Sequence, residues 1–238
     1  MNYLKSLWVT IYIQFVSAII EVITCAIAAY GFARFEFKGK RLLFGLVLLT
    51  ILIPPQMIAV PMYLNYAHLD FLGILKEIGS LIGKDIRPNV LNTAQVFYLP
   101  SLFGVGLRSG LFIFIYRQFF KSMPKELEEA AWIDGADPVK TFVKVIIPSS
   151  GVVILTVCIF SIVWHWNDYY LSTLYLNDKF PLSVSLAQIT AGVRQVAAED
   201  NRGVRMAGCL LFVMPILIMY AILQKRFISS IDRVGIVG

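Results

Sequence analysis

The residues able to do chemistry are few, and they do not assemble into a reaction centre. The two histidines, His68 and His165, stand far apart, with no nucleophile or carboxylate spaced to complete a hydrolytic or zinc-binding set. The three cysteines, Cys25, Cys158 and Cys209, each fall inside an apolar run and show neither metal-ligand spacing nor a disulfide framework, so they read as packing residues. The nearest approach to a phosphate-cradling loop is Gly79-Ser80-Leu81-Ile82-Gly83-Lys84. It has three residues rather than four between its glycines and no Ser or Thr after Lys84. Catalysis, a resident cofactor and a metal site are therefore not expected of this chain.

Polar groups in apolar surroundings are more informative. Glu21 lies near the middle of a long apolar run, and a carboxylate there is costly unless it faces a bundle interior. Its expected role is either a place on a substrate or proton pathway or a hydrogen bond to a neighbouring helix. Arg108, between Gly106 and Gly110, has two readings, a partner for a carboxylate or a headgroup contact. The cluster Trp164-His165-Trp166-Asn167-Asp168-Tyr169-Tyr170 fits an aromatic belt at a membrane boundary. Its rings beside an amide and a carboxylate also suit a sugar, which makes Trp166, Asn167 and Asp168 candidates, with Glu21, for lining a substrate pathway.

The most informative stretch runs from Met123 to Ser150, MPKELEEAAWIDGADPVKTFVKVIIPSS. Pro124 suits a first helical position, and Glu126, Glu128 and Glu129 sit at the positive end of the helix dipole. That helix is expected to reach about Ile133 and to stop at Asp134-Gly135, where glycine can adopt the left-handed conformation. Asp137 then caps a second helix with Pro138 in its first turn, and Val139, Phe142, Val143, Ile146 and Ile147 are expected to form one apolar stripe. Small Ala130 and Ala131 would let another protein approach closely. The pattern is helix, glycine elbow, helix, a rigid knob suited to docking.

These groups have to be positioned by membrane helices. Of 238 residues 58% are hydrophobic and 15% charged, against about 45–50% and about 25% in an ordinary soluble domain. The apolar residues gather into runs of the length a bilayer requires, about 20 residues. Five spans can be drawn, Leu7–Ala33, Leu42–Tyr66, Leu99–Phe120, Gly151–Tyr175 and Met206–Leu223, all helical because lipid leaves the backbone no other partner. The first is too long for a signal-peptide core and lacks a cleavage pattern. The expected fold is thus all-α and integral to the membrane, one domain over 1–238 with the elbow, 123–148, inside it.

The formal charge of +6 could suggest nucleic acid, but Lys and Arg sit in short clusters between spans and no basic aromatic face exists, so they read as topology signals. Arg34, Lys38, Lys40 and Arg41, then Arg117, Lys121, Lys125, Lys140 and Lys144, and finally Lys225, Arg226 and Arg233 put both connections and the C-terminus in the cytoplasm. Five spans then leave Met1 outside. Pro54, Pro55 and Pro61 interrupt the second span, and Pro100, Gly104, Gly106 and Gly110 loosen the third, as irregular backbone beside a cavity would. Outside, Phe71, Ile74, Leu75, Ile78, Leu81 and Ile82 repeat at helical spacing opposite Lys76, Glu77 and Ser80, predicting a short amphipathic helix on the lipid surface or over the translocation domain.

The run Glu129-Ala130-Ala131, three residues, Gly135, nine residues, Val145, one residue, Ile147-Pro148 resembles the EAA loop of inner-membrane permeases of ABC importers, with Val145 and Ile147 in place of the usual Ile and Leu. Ala29-Tyr30-Gly31-Phe32-Ala33-Arg34-Phe35, Arg117-Gln118-Phe119-Phe120, Trp166-Asn167-Asp168-Tyr169 and the tail ending in glycine look like the carbohydrate permeases of the maltose or glycerol-phosphate type, so the likeness covers nearly the whole chain. It implies a type I importer transmembrane domain in the inner membrane. In it Glu129, Ala130, Ala131, Asp134, Gly135 and Pro148 would couple to an ATP-binding cassette subunit. It also implies two copies of that subunit, which bind ATP and Mg, a second permease, an extracytoplasmic solute-binding protein, and a sugar or sugar derivative as cargo. Polyamine, phosphate and peptide permeases share the EAA loop and are the alternative, followed by an ion-gradient transporter using Glu21 and Arg108. Permeases of this type normally have six spans. The five here would lack the first, which agrees with the external Met1, and the outer segment Gly73–Val90 is longer than usual.

Overall fold

The structure is a computed structural model that describes residues 2–70, 73–195 and 202–235, with side chains described outside 189–195 and 223–235. Its described elements are helices. Helix α1, Tyr3–Arg34, runs unbroken past a π-helical turn at Thr10–Phe15. It is followed by α2, Lys40–Leu52, α3, Pro55–Ala67, α4, Ile74–Ile82, α5, Gln95–Leu102, and α6, Ser109–Ser122. Then come α7, Glu126–Ile133, α8, Pro138–Ser149, α9, Gly151–Asn167, α10, Tyr170–Tyr175, α11, Leu182–Gln195, and α12, Arg202–Gly235.

Helix α1 is the axis of the molecule. Its small residues Ala18, Cys25, Ala26 and Ala29 are buried, which lets α5, α6 and α9 pack closely around it. In lipid such contacts are held by van der Waals fit more than by water exclusion. Toward the Arg34 end, Tyr30, Phe112, Tyr116, Phe120, Ile146 and Val157 form the main core, with Tyr30 edge-on to Phe120 at 6.1 Å and tilted on Phe142 at 4.7 Å. Toward the Tyr3 end, Ile13, Tyr66, Phe97, Tyr175 and Leu176 form a second cluster.

The breaks follow the breakers in the sequence. Ile53 is pushed to extended geometry ahead of Pro54-Pro55, so α2 and α3 meet at 105°. Pro61 and Pro100, by contrast, lie inside continuous helices. The third expected span is interrupted between Phe103 and Arg108, with Gly104 at φ +67° and Arg108 at φ 67°. That leaves α6 with 14 residues, about 21 Å against a hydrocarbon core of about 30 Å. The fourth breaks at Asp168-Tyr169.

Five unbroken crossings are therefore not confirmed by the described residues. Among the described residues two unbroken helices are long and apolar enough to span, Tyr3–Arg34 and Arg202–Ile222, and at most four if each bent pair counts as one span. The second such pair is α8 with α9, at 81°. The expected amphipathic helix forms as α4 between Gly73 at φ +84° and Gly83 at φ +70°, with the Asp70 carboxylate accepting from the backbone N–H of Leu75 and Lys76. Ile74, Ile78, Leu81 and Ile82 are exposed, while Phe71 of the same expected stripe lies outside the described residues.

Candidate functional site

The elbow is assembled by local hydrogen bonds. Helix α7 carries Glu126, Glu128 and Glu129 in its first turn, where carboxylates oppose the helix dipole favourably. It ends in a Schellman motif: Ala136 N–H donates to Ala131 O at 2.9 Å and Gly135 N–H to Trp132 O at 3.0 Å. This motif requires a left-handed residue, supplied by Gly135 at φ +78°. Two residues on, Asp137 caps α8 by accepting from Lys140 N–H at 2.8 Å, with Pro138 in the first turn.

Glu129, Ala130, Trp132, Ile133, Asp134, Gly135 and Pro148 all face outward, and Ala131 is half-buried. The single apolar stripe expected on α8 splits. Ile146 is fully buried and Phe142 half-buried, but Val139 and Val143 are 72% and 56% exposed. A π-helical turn at Phe142–Ile146 is the reason, because its wider winding shifts the register between the two halves of the stripe. The knob therefore presents Trp132, Ile133, Val139 and Val143 together with the carboxylates of Glu126 and Glu129.

One carboxylate of the elbow turns inward. Glu128 is 3% exposed and meets Arg34, the last residue of α1, at 2.7 Å. In the sequence Glu128 reads as a dipole partner and Arg34 as a topology charge. Nothing in their spacing signals that they meet.

The second group lies at the middle of α1. Glu21 is completely buried and accepts hydrogen bonds from Ser109 Oγ at 2.6 Å and Ser161 Oγ at 2.8 Å, so three helices converge on one carboxyl. His165 Nδ1 lies 3.6 Å from the same carboxyl and 3.0 Å from Ser161 O, which selects the tautomer with hydrogen on Nδ1. The broken backbone before α6 folds against this group, and a Cβ on Gly106 would stand 2.8 Å from Glu21 Oε1. Beside it opens a cavity of about 470 Å3 between the α2–α3 bend and the loop 103–108, whose polar wall is Thr50, Ser101, Arg108, Ser109, His165 and Tyr175. Arg108 stacks its guanidinium over Trp164 at 5.7 Å to the ring centroid, and no ion pair is recorded for it among the described residues.

The remaining pathway candidates do not line this cavity. Trp166 is buried against Phe212 and donates its indole N–H to Phe212 O at 3.2 Å, tying α9 to α12. Asn167 donates back to Val163 O within its own helix at 2.7 Å. Asp168 caps α10, accepting from the backbone N–H of Leu171 and Ser172 and from Ser172 Oγ. Glu21 stands behind the wall and borders the cavity through Ser109, His165 and Gly106.

Residues 22–233 match the family model described as the binding-protein-dependent transport system inner membrane component. The chain is similar to protein LplC of Bacillus subtilis, 30% identical over 237 residues covering 95% of this chain and 72% of LplC. It is similar also to the trehalose transport system permease protein SugB of Mycobacterium tuberculosis, 29% identical over 228 residues covering 95% of this chain and 74% of SugB. Its fold is similar to that of a chain in the crystal structure of a bacterial ABC transporter involved in the import of the acidic polysaccharide alginate, with a TM-score of 0.69 over 94% of this chain and 75% of that one, at 21% identity.

Proposed function

The chain belongs to the family of binding-protein-dependent transport system inner membrane components, and from that premise we propose that it is one of two permease subunits of an ATP-driven importer of a sugar or sugar derivative. The observation that carries the reading is the Gly135 elbow, a helix stopped by a Schellman motif and restarted by an Asp-Pro cap, which holds an exposed mixed apolar and acidic knob on the helical core. A knob of that shape suits a cleft in an ATP-binding subunit. Two such subunits would bind ATP and Mg and supply the hydrolysis, a second permease would complete the pathway, and an external solute-binding protein would deliver the cargo.

The basic clusters around Arg34–Arg41 and Arg117–Lys144 support a cytoplasmic elbow and C-terminus. The trehalose permease among the relatives supports a sugar cargo. The cavity before α6 is our candidate for this subunit's share of the pathway, because it combines hydroxyls, two tyrosines and an imidazole with non-helical backbone of the kind tolerated only beside protein or water. Glu21 serves it by fixing Ser109 and His165, Asp168 by fixing the turn from α9 to α10, and Trp166 and Asn167 by holding the end of α9.

The test is purification of the tagged chain from its native membranes in mild detergent, with mass spectrometry of what accompanies it. An ATP-binding subunit is expected with the native chain and is expected to be lost from Gly135→Pro and Glu129→Lys, whose spans still insert. Recovery of the chain alone, with sugar uptake surviving ATP depletion, would refute the importer reading in favour of an ion-gradient transporter.

A further inference from the structure

The sole buried side chain of α7 is a charged one. Glu128 points away from the exposed face of the elbow into the body of the protein, where its counter-ion is Arg34 at the end of α1, with side-chain exposures of 4% and 8%. The two atoms meet at 2.7 Å as charges, without an N–H aligned on the oxygen. The second arm of the same guanidinium is aligned: Arg34 Nη2 donates to Met123 O at 3.0 Å, where the chain leaves α6 for the elbow. One side chain thus holds both the lead-in to the elbow and its first helix. One turn earlier on α1, Tyr30 packs on Phe142 of α8, and on α6 Arg117 donates to Phe32 O at 3.2 Å.

The apolar contacts between the elbow and α1, such as Tyr30 on Phe142, are non-directional and individually weak. A buried ion pair behaves differently, because separating it leaves an uncompensated charge in a poorly solvated place. From Arg34 the rigid helix continues to Glu21, a rise of about 20 Å, where Ser109 and Ser161 join α6 and α9 to it beside the cavity. The alternative route, from α8 into α9, passes through a bend of 81°.

We propose that the Arg34–Glu128 pair is a strut that makes the elbow and α1 move as one body, so that displacement of the elbow is delivered along α1 to the cavity wall. Both are positioning residues, and the proposal rests on the elbow being the seat of the ATP-binding subunit. Their role is separate from that of the exposed docking residues such as Glu129. Glu128 holds the knob to the lever, and Glu129 faces the partner.

The experiment uses the complete transporter in proteoliposomes and measures three quantities: co-purification of the ATP-binding subunit, ATP hydrolysis, and sugar moved per ATP hydrolysed. Glu128→Gln and Arg34→Gln are expected to keep the ATP-binding subunit yet lower sugar moved per ATP by about tenfold, within the usual range of coupling between sites. The exchange Arg34→Glu with Glu128→Arg is expected to recover most of that loss, and Arg34→Lys part of it. An unchanged ratio in the single variants, or no recovery on exchange, overturns the strut. Loss of the ATP-binding subunit from the single variants also overturns it, since the pair would then only shape the docking face. A native chain that brings down no ATP-binding subunit refutes the underlying importer reading instead.

Discussion

Replacing Glu21 by leucine tests whether the buried carboxyl is the joint between three helices. The side chain is fully buried and accepts from Ser109 and Ser161 at 2.6 and 2.8 Å. Leucine keeps most of the volume, so the change removes the two hydrogen bonds and the 3.6 Å contact with His165 without opening a large cavity. An interhelical hydrogen bond in lipid is worth about 0.6 kcal/mol on average and about 1.7 at most, so two of them amount to about 1–3 kcal/mol. The lower half of that range is favoured for the pair because Ser161 keeps a fallback acceptor in Ala18 O at 3.4 Å.

Glutamine at the same position keeps one acceptor oxygen and offers an amide N–H2 to the other serine, which can accept, so its cost is expected to stay below about 1 kcal/mol. The triple change Glu21→Leu, Ser109→Ala, Ser161→Ala removes donors and acceptor together and is expected to regain stability over Glu21→Leu alone. The assay is thermal unfolding of the assembled complex in detergent, read as the fraction remaining monodisperse after heating. Equal stability of Glu21→Leu and Glu21→Gln, or a triple variant weaker than the single one, would refute the reasoning.

A close helix contact gives a second test: a Cβ on Gly110 would collide with the Thr50 side chain and stand 2.8 Å from Val47 O. Gly110→Ala is therefore expected to push α2 off α6 and cost about 1–3 kcal/mol in the same unfolding assay, whereas Gly45→Ala, which meets open space, is expected to be neutral. The elbow has its own pH signature, since the backbone hydrogen bond from Lys140 holds the Asp137 carboxyl below its ordinary pKa. A depressed folded value means that the cap stabilises α8 above the ordinary carboxylate pKa and is lost as pH falls through the depressed one. Amide exchange at Lys140 and Thr141 is expected to quicken in Asp137→Ala but not in Asp137→Asn at neutral pH, and native protein is expected to approach the alanine variant in acid; equal exchange at neutral pH would count against the cap.

The amino-acid sequence alone determines what local chemistry controls. Gly135, Asp137 and Pro138 mark the elbow and the helix after it because capping and left-handed geometry depend on residues a few positions apart, whereas the first helix starts at Glu126, two residues past the Pro124 expected to open it. Pro54-Pro55 marks the bend in the second apolar run for the same reason, and the spacing of Ile74, Ile78, Leu81 and Ile82 marks α4. Apolar length pointed to membrane helices but overcounted unbroken crossings, because hydropathy does not register where a helix stops inside an apolar run, as it does at Phe103–Arg108. Nor could spacing orient Val139 and Val143, once a π-helical turn had shifted the register behind them.

The pairings belong to another class. Arg34 with Glu128, and Glu21 with Ser109 and Ser161, join residues remote in sequence, and each partner alone reads as something ordinary, a topology charge or a serine in a helix. Trp166, Asn167 and Asp168 read as sugar contacts by type, yet packing occupies them with Phe212, Val163 and the cap of α10. A side chain's type limits which bonds it can form. Which bond it does form depends on the helix folded against it, and one chain without its tertiary contacts does not carry that information.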